Sequence, residues 1–171
     1  MISRTGPSLA IGILAIAVGL TTSAKAAPIP ASCPVTKPYQ NSLFVPPFPY
    51  PEKAFRGNFW FGSDRLWTEL PAVGMWKLGN HLPDDPMFGQ KLPFWRDGYD
   101  AHTTPRPSLK ITGRRLDSPA IHLVFDGANG SWERTDQPFI MTGVDFPTLG
   151  CWEITARYEA DELTFVIWIA K

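Results

Sequence analysis

The clearest pattern in this chain is the alternation of apolar and polar residues between Gly150 and Ile169, which is typical of strands buried on one face. The acidic stretch 159–162 interrupts the alternation and predicts a hairpin turn, although it lacks the Asn-Gly or Asp-Gly of common hairpins. A turn there makes each apolar position meet another one, and a slip of one residue would destroy the match. The predicted pairs are Tyr158 with Leu163, Ala156 with Phe165, Ile154 with Ile167 and Trp152 with Ile169.

Shorter runs of the same kind, separated by turn residues, occur between residue 55 and the hairpin. The chain has 18 prolines and 14 glycines, which disfavour long helices, while seven tryptophans and eleven phenylalanines favour strands around an aromatic core. The prediction is an all-β, immunoglobulin-like β-sandwich of about six to eight short strands over residues 52–171. Before the hairpin, strands are predicted near 55–61, 65–71, 74–78, 108–116, 120–125 and 139–144, with turns at 62–64 and 126–131 and a long loop from 81 to 107 that holds one brief strand at 91–96.

Residues 1–26 have the features of a secretory signal peptide. Arg4 lies near the start, an apolar run covers 9–20, and Ala24 and Ala26 form an Ala-x-Ala cleavage site. The apolar run is shorter than the roughly 20 residues that a membrane-spanning helix needs, so cleavage is favoured over a retained anchor. The protein is therefore expected to be exported, to the periplasm or outside the cell, with no transmembrane segment after signal removal.

The segment 27–51 contains eight prolines, a density that excludes helix and central strand alike. It is predicted to be an extended, polyproline-like N-terminal arm that wraps the sandwich or serves as a spacer. Its expected anchors are Cys33 and the aromatic residues Phe44, Phe48 and Tyr50. The alternative is that the arm is itself the ligand of an aromatic-lined groove.

The two cysteines of the chain, Cys33 and Cys151, are expected to form a disulfide, because an even count in an exported protein favours pairing. Such a bond would contribute about 4–5 kcal/mol as an upper figure. Cys151 lies on the outer hairpin face, where the predicted register also places Glu153 opposite Trp168. That face is too apolar to be fully exposed to solvent, and the N-terminal arm is the simplest candidate to cover it. Lipid attachment at Cys33 is the competing role, although Pro30 replaces the aliphatic residue expected three places earlier, and free thiols are the third possibility.

Several segments resemble a set of uncharacterised secreted bacterial proteins. In that set the mature chain also opens with Cys-Pro-Val-Thr, as at positions 33–36 here. The resemblance implies a bacterial exported protein with a β-sandwich body, but it does not imply any particular activity. In some members the opening cysteine resembles a lipidated one, which keeps lipidation open. The other matching segments are Phe-Gly-Ser-Asp-Arg-Leu-Trp at 61–67, Gly-Arg-Arg-Leu-Asp at 113–117 and Phe-Pro-Thr-Leu-Gly-Cys-Trp-Glu-Ile-Thr at 146–155.

The charges and motifs exclude some chemistries. Signal removal leaves 14 basic and 16 acidic residues with no basic stripe, so no nucleic acid partner is expected. His81 with 84–85, and Asp100 with His102, match no metal-ligand spacing, so neither a metal nor another cofactor is expected.

The sequence contains no Gly-x-Ser-x-Gly elbow and no recognisable catalytic triad. Carboxylate pairs for glycoside hydrolysis occur in any acidic chain, so the sequence does not single out one pair. Catalytic residues therefore stay unknown, and an enzyme is not the favoured class.

A ligand-binding cluster is predicted in the long loop, because aromatic platforms and charged groups in loops are typical of sugar and peptide sites. The expected function is a non-catalytic envelope protein that binds an envelope protein or a small ligand. The alternatives are a small secreted hydrolase or carbohydrate-acting domain, and a purely structural domain. The structural explanation of the cluster is that Phe94 and Trp95 cap the end of the sandwich and that Arg96 stacks on an aromatic ring. The cluster consists of Trp95, Arg96, Asp97, Tyr99 and Asp100.

Export and cysteine state are testable together by intact mass, measured before and after reduction and alkylation. We expect a chain that starts at Ala27 and whose thiols react only after reduction. A chain that starts at Cys33 with added acyl mass would instead make the protein a lipoprotein.

Overall fold

The computed structural model describes residues 28–38, 44–79, 84–118, 121–131 and 137–171, so the predicted signal peptide lies outside the described residues. Within these ranges the protein is all-β and contains no helix. The strands are β1 (Asn58–Ser63), β2 (Leu66–Pro71), β3 (Met75–Lys77), β4 (Phe88–Trp95), β5 (Lys110–Arg115), β6 (His122–Asp126), β7 (Asn129–Ser131), β8 (Phe139–Phe146), β9 (Gly150–Tyr158) and β10 (Asp161–Ala170).

These strands form two five-stranded sheets, as expected for a β-sandwich. The arm sheet has the order β1-β2-β4-β8-β7, and the hairpin sheet has the order β3-β10-β9-β5-β6. All neighbouring pairs are antiparallel except β3 and β10, which are parallel. Alternate side chains of both sheets fill one buried core, and each contributes about 1.5–3 kcal/mol of transfer free energy. Its fully buried members include Leu66, Phe94, Ile140, Phe146, Ile111, Trp152, Ile154 and Ile167.

The C-terminal hairpin exists as predicted, but its register differs by two residues. Leu163 pairs with Ala156 rather than with Tyr158, and the turn is the two-residue loop 159–160. Glu159 takes the left-handed φ of 56° that such tight hairpins require. Because the shift is even, every apolar residue keeps its face, and the alternation alone could not distinguish the two registers.

The prediction of about six to eight strands was too low, since the described residues alone contain ten. The main omission is β4, an eight-residue central strand where only a brief strand within a loop was predicted. Its sequence lacks clean alternation and includes Pro93, which argues against a central strand. Pro93 is tolerated because β2 pairs with β4 only at Trp95 and Phe94, while the Thr68 hydroxyl donates to the Pro93 carbonyl at 2.8 Å.

The first part of the arm is fixed to the hairpin sheet, as the disulfide prediction required. Cys33 and Cys151 are bonded, with their Cα atoms 5.7 Å apart. The Thr36 amide donates to the Val166 carbonyl at 2.8 Å, and the Val166 amide donates to Thr36 Oγ1 at 2.9 Å. Nearby, a Cβ at Gly74 would lie only 2.7 Å from Val35 Cγ2. The arm therefore continues the edge of β10 beyond its pairing with β3.

The observed register also changes the cross-strand pairs that were expected on the outer hairpin face. Glu153 pairs with Val166, whereas Trp168 pairs with Cys151. The arm covers the Cys151 end of this face, as anticipated, through Thr36 and the disulfide.

The second part of the arm packs on the outer face of the arm sheet. Phe44 and Tyr50 contact the buried Trp67 with ring centroids 5.6 and 5.2 Å apart, respectively. The Tyr50 hydroxyl donates to the Pro138 carbonyl at 3.2 Å, and Gln137 Nε2 donates to the carbonyl of Pro49 at 2.7 Å. A second small core thus lies outside the sandwich, with the arm as a third layer.

Because 118 residues separate the two cysteines, the disulfide should restrain the unfolded chain strongly. We expect the double variant Cys33→Ala/Cys151→Ala to lose up to about 5 kcal/mol of unfolding free energy. Chemical denaturation measures this loss, with the exposed Val73→Ala as a control that should change stability by no more than about 0.5 kcal/mol. A loss below about 1 kcal/mol would contradict a stabilising restraint.

Candidate functional site

The predicted ligand-binding cluster divides between two places in the structure. Trp95 lies at the end of β4 and faces outward from the arm sheet, with its ring centroid 5.0 Å from that of Trp60 and 5.8 Å from that of Phe139. The other four residues follow Trp95 in the loop and share a cavity of about 220 Å³ with the hairpin turn. They are Arg96, Asp97, Tyr99 and Asp100.

Arg96 connects this loop to the hairpin. Its guanidinium donates a hydrogen bond to Glu159, lies 3.8 Å from Asp161 and stacks 5.2 Å from the centroid of the Tyr158 ring. The hydrogen bond with Glu159 raises the pKa of Arg96, against the opposing effect of burial. The cation is therefore neutralised within the protein, in agreement with the structural explanation of the cluster.

Tyr99 and Asp100 stabilise the turns of the loop itself. The Tyr99 hydroxyl donates to the Thr104 carbonyl at 2.8 Å, and the His102 amide donates to Asp100 Oδ1 at 2.8 Å. Burial, followed by the charges of Tyr158 and Asp100, raises the pKa of Tyr99 to about 12. Most polar groups of the cavity are thus already bonded, and its use as a ligand site stays a prediction.

A larger depression, which we call the arm groove, lies on the outer face of the arm sheet. Its volume is about 430 Å³, within the range of small-molecule and side-chain pockets. Aromatic side chains line it, and two cations stand at its rim. The arm groove is defined by Tyr50, Phe55, Trp60 and Trp95 with Lys53 and Arg56.

Hydrogen bonds to the arm fix the aromatic side chains of the groove. The Trp60 indole donates to the Pro51 carbonyl at 2.9 Å. Burial, followed by the charge of Asp97, raises the pKa of Tyr50 to about 12. Because the polar atoms of Trp60 and Tyr50 are bonded to the backbone, the groove has a rigid aromatic floor.

Charges at the rim are unbalanced. Glu69 accepts hydrogen bonds from the Phe55 amide at 2.8 Å and from Asn58 Nδ2 at 3.2 Å, so both of its carboxylate oxygens are engaged. Lys53 and Arg56 are exposed, and neither has an ion-pair partner in the part of the chain that the structure describes. The donors to Glu69 are neutral, so the groove lining carries two exposed cations and one carboxylate, a net positive charge that a ligand can meet.

Exposed apolar side chains extend this surface. Phe48, Phe55 and Val45 are 94%, 72% and 54% exposed, respectively, so the expectation that Phe48 anchors the arm was wrong. A second depression of about 300 Å³ shares Lys53 and Trp60 with the arm groove and also includes Val45. The apolar surface is thus wider than the groove alone.

The outer face of the hairpin sheet has the opposite character. Arg114 pairs with Glu153 at 2.7 Å, and Arg157 forms an ion pair with Glu162. Thr155 and Thr164 share a hydrogen bond of 2.9 Å across β9 and β10. Beyond its covered end this face carries these polar pairs beside the partly buried Val166 and Trp168.

The arm groove was not predicted from the sequence. A signal was present at Phe59-Trp60-Phe61, because consecutive aromatic residues in a strand leave both faces apolar. Trp60 indeed lies in the outer core and Phe59 in the inner one.

Other kinds of site find no support among the described residues. No group of three or more histidine, cysteine, aspartate or glutamate side chains is placed to hold a metal, and His81 lies outside the described ranges. No helix there is long and apolar enough to cross a membrane. Comparisons with protein-family models, curated proteins and solved structures find no match to this chain.

Burial raises the pKa values of three tyrosines, Tyr50, Tyr99 and Tyr158, and the shifts at Tyr50 and Tyr99 are large enough to predict a pH effect. Folding holds Tyr50 and Tyr99 protonated up to about pH 12, whereas an unfolded chain releases these protons near the ordinary pKa of about 10. Stability from this source is present below pH 10 and is lost as the pH rises toward 12. Absorbance at the phenolate band should show the late ionisation, and Tyr99→Phe should remove part of it. Ionisation of all tyrosines near pH 10 in the folded protein would contradict both burials.

Proposed function

We propose that this protein is an exported, non-catalytic binding protein of the cell envelope, and that the arm groove is its binding surface. The proposed ligand is an acidic segment of another envelope protein that carries an apolar anchor side chain. The observation that carries the proposal is an aromatic groove with two unpaired cations at its rim, among the described residues.

The apolar part of the surface favours a protein partner over a small molecule. Phe48 is 94% exposed and lies outside the groove lining, so a ligand confined to the groove would leave it in water. Exposed apolar surface with a polar rim is typical of protein interaction sites, and buried aromatic residues dominate their binding energy.

The charges favour an acidic partner. Lys53 and Arg56 lie beside the aromatic floor of the groove and have no ion-pair partner in the described ranges. Rim cations raise the association rate of an acidic partner and disfavour a basic one.

A hydrolase would need a different arrangement. Two convergent carboxylates, or a histidine beside a carboxylate, would be expected in a concave cleft. Among the described residues no aspartate, glutamate or histidine is fully buried. Asp161, with a side chain only 14% exposed, lies beside Arg65 and Arg96, and Arg96 also binds Glu159, so arginine engages both of these carboxylates. Binding therefore has the stronger support.

Location and fold family belong to the same proposal. The signal-like N-terminus and the resemblance to secreted bacterial proteins support export, and a disulfide suits an oxidising compartment. Two mainly antiparallel sheets of five strands support an immunoglobulin-like sandwich.

Fluorescence anisotropy with two labelled peptides tests the site. One peptide alternates glutamate with leucine and carries a phenylalanine, and the other replaces each glutamate by lysine. We expect the acidic peptide to bind, and the variant Lys53→Glu/Arg56→Glu to weaken it at least about tenfold, because the rim attraction becomes repulsion. Phe55→Ala should also weaken binding, by removing apolar contact.

The matched control is Lys77→Glu/Lys110→Glu, which reverses two exposed lysines outside the groove. This control should bind the acidic peptide as the unmodified protein does. Equal binding of both peptides, or an equal loss in both double variants, would contradict the proposal. Binding of a small aromatic sulfonate but of neither peptide would also contradict it, and would identify a small-molecule site instead.

A further inference from the structure

Strand β6, residues His122–Asp126, forms an open edge of the hairpin sheet. The Arg115 amide donates to the Ile121 carbonyl at 3.1 Å, which fixes the alternation of hydrogen bonds between β5 and β6. In this register the backbone groups of Leu123 and Phe125 point toward β5. Those of His122, Val124 and Asp126 therefore point away from the sheet.

This edge lacks the usual protection against pairing. Proteins commonly guard an open edge with lysine, proline or a very short strand. β6 contains neither lysine nor proline, and Val124 at its centre is 66% exposed. By contrast, β3 and β7 are edge strands of three residues each, and β1 is the edge strand that lies beside the arm residues of the smaller depression.

The sequence of β6 is complementary to itself in an antiparallel arrangement. A two-fold axis through Val124 places this valine opposite the same residue of a second copy. His122 then lies opposite Asp126 of the second copy, so a potential cation meets an anion on each side of the axis. Leu123 likewise meets Phe125 on the core face, where both already pack. A lysine or a like charge at any of these positions would have prevented this match.

We propose that β6 binds β6 of a second copy of this chain about that axis, joining the two hairpin sheets into one continuous ten-stranded sheet. The interface is isologous, so it closes as a dimer and doesn't propagate. It doesn't involve the arm groove and is independent of the proposed function. A dimer would present two arm grooves to one partner and raise the avidity of binding.

Sedimentation velocity over a wide range of protein concentration tests the proposal. The unmodified protein should form a dimer, and Val124→Lys should be monomeric, because two ammonium groups would face each other across the axis. Val73→Lys is the matched control, since Val73 is also exposed, at 71%, and lies outside β6; this variant should remain dimeric. Thermal unfolding of both variants confirms that each is folded.

Cross-linking and charge exchange test the register itself. Residues opposite each other in a hydrogen-bonded antiparallel pair have Cα atoms about 5.5 Å apart, which lies within disulfide range. Val124→Cys should therefore cross-link on mild oxidation, whereas Val73→Cys should not. His122→Glu should weaken the dimer, and the additional change Asp126→Lys should restore it.

A monomer at every concentration would overturn the proposal. So would a dimer that persists in Val124→Lys, because the contact would then lie elsewhere. Failure of Asp126→Lys to rescue His122→Glu would overturn the proposed register.

Discussion

The disulfide between Cys33 and Cys151 determines where the N-terminal arm can lie. It fixes one point of the arm to β9, and the hydrogen bonds between Thr36 and Val166 then direct the chain along the edge of β10. From residue 44 the arm covers the opposite sheet, where the fully buried Trp67 would otherwise face water. The sandwich thus depends on a third layer whose described residues, 28–38 and 44–51, contain neither helix nor strand.

The two outer faces differ because only one of them has this cover. The uncovered face of the hairpin sheet is exposed to solvent and carries cross-strand ion pairs such as that of Arg114 with Glu153. The arm sheet instead carries Trp60 and Trp95 outward, and the proline-rich arm leaves part of these rings accessible from the groove. An arm with few backbone donors suits this role, because it can lie on aromatic rings without leaving buried amides unpaired. The same packing therefore stabilises the fold and creates the candidate binding surface.

Features that depend on local pattern were predictable from the sequence, while those that depend on tertiary contacts were not. The two-sheet all-β body, the hairpin and the disulfide follow from alternation and cysteine count. The exact register does not, since a shift of two residues preserves every face. Strand β4 was not predictable because Pro93 argues against a central strand, and it is tolerated here through tertiary contacts: β2 pairs with β4 only beyond Pro93, and the Thr68 hydroxyl satisfies the Pro93 carbonyl. The predicted site cluster was grouped by sequence proximity, but Trp95 faces away from its neighbours in the loop.

Hydrogen exchange of two individual protons tests the arm's position most directly. The Trp60 indole proton is bonded to the Pro51 carbonyl, and the Val166 amide is bonded to Thr36 Oγ1, so each reports one attachment of the arm. Both protons should exchange slowly in the native protein. In Cys33→Ala/Cys151→Ala both should exchange faster, while the amides between β9 and β10 keep their protection. Free exchange of both protons in the native protein, or unchanged rates in the variant, would contradict a disulfide-fixed third layer.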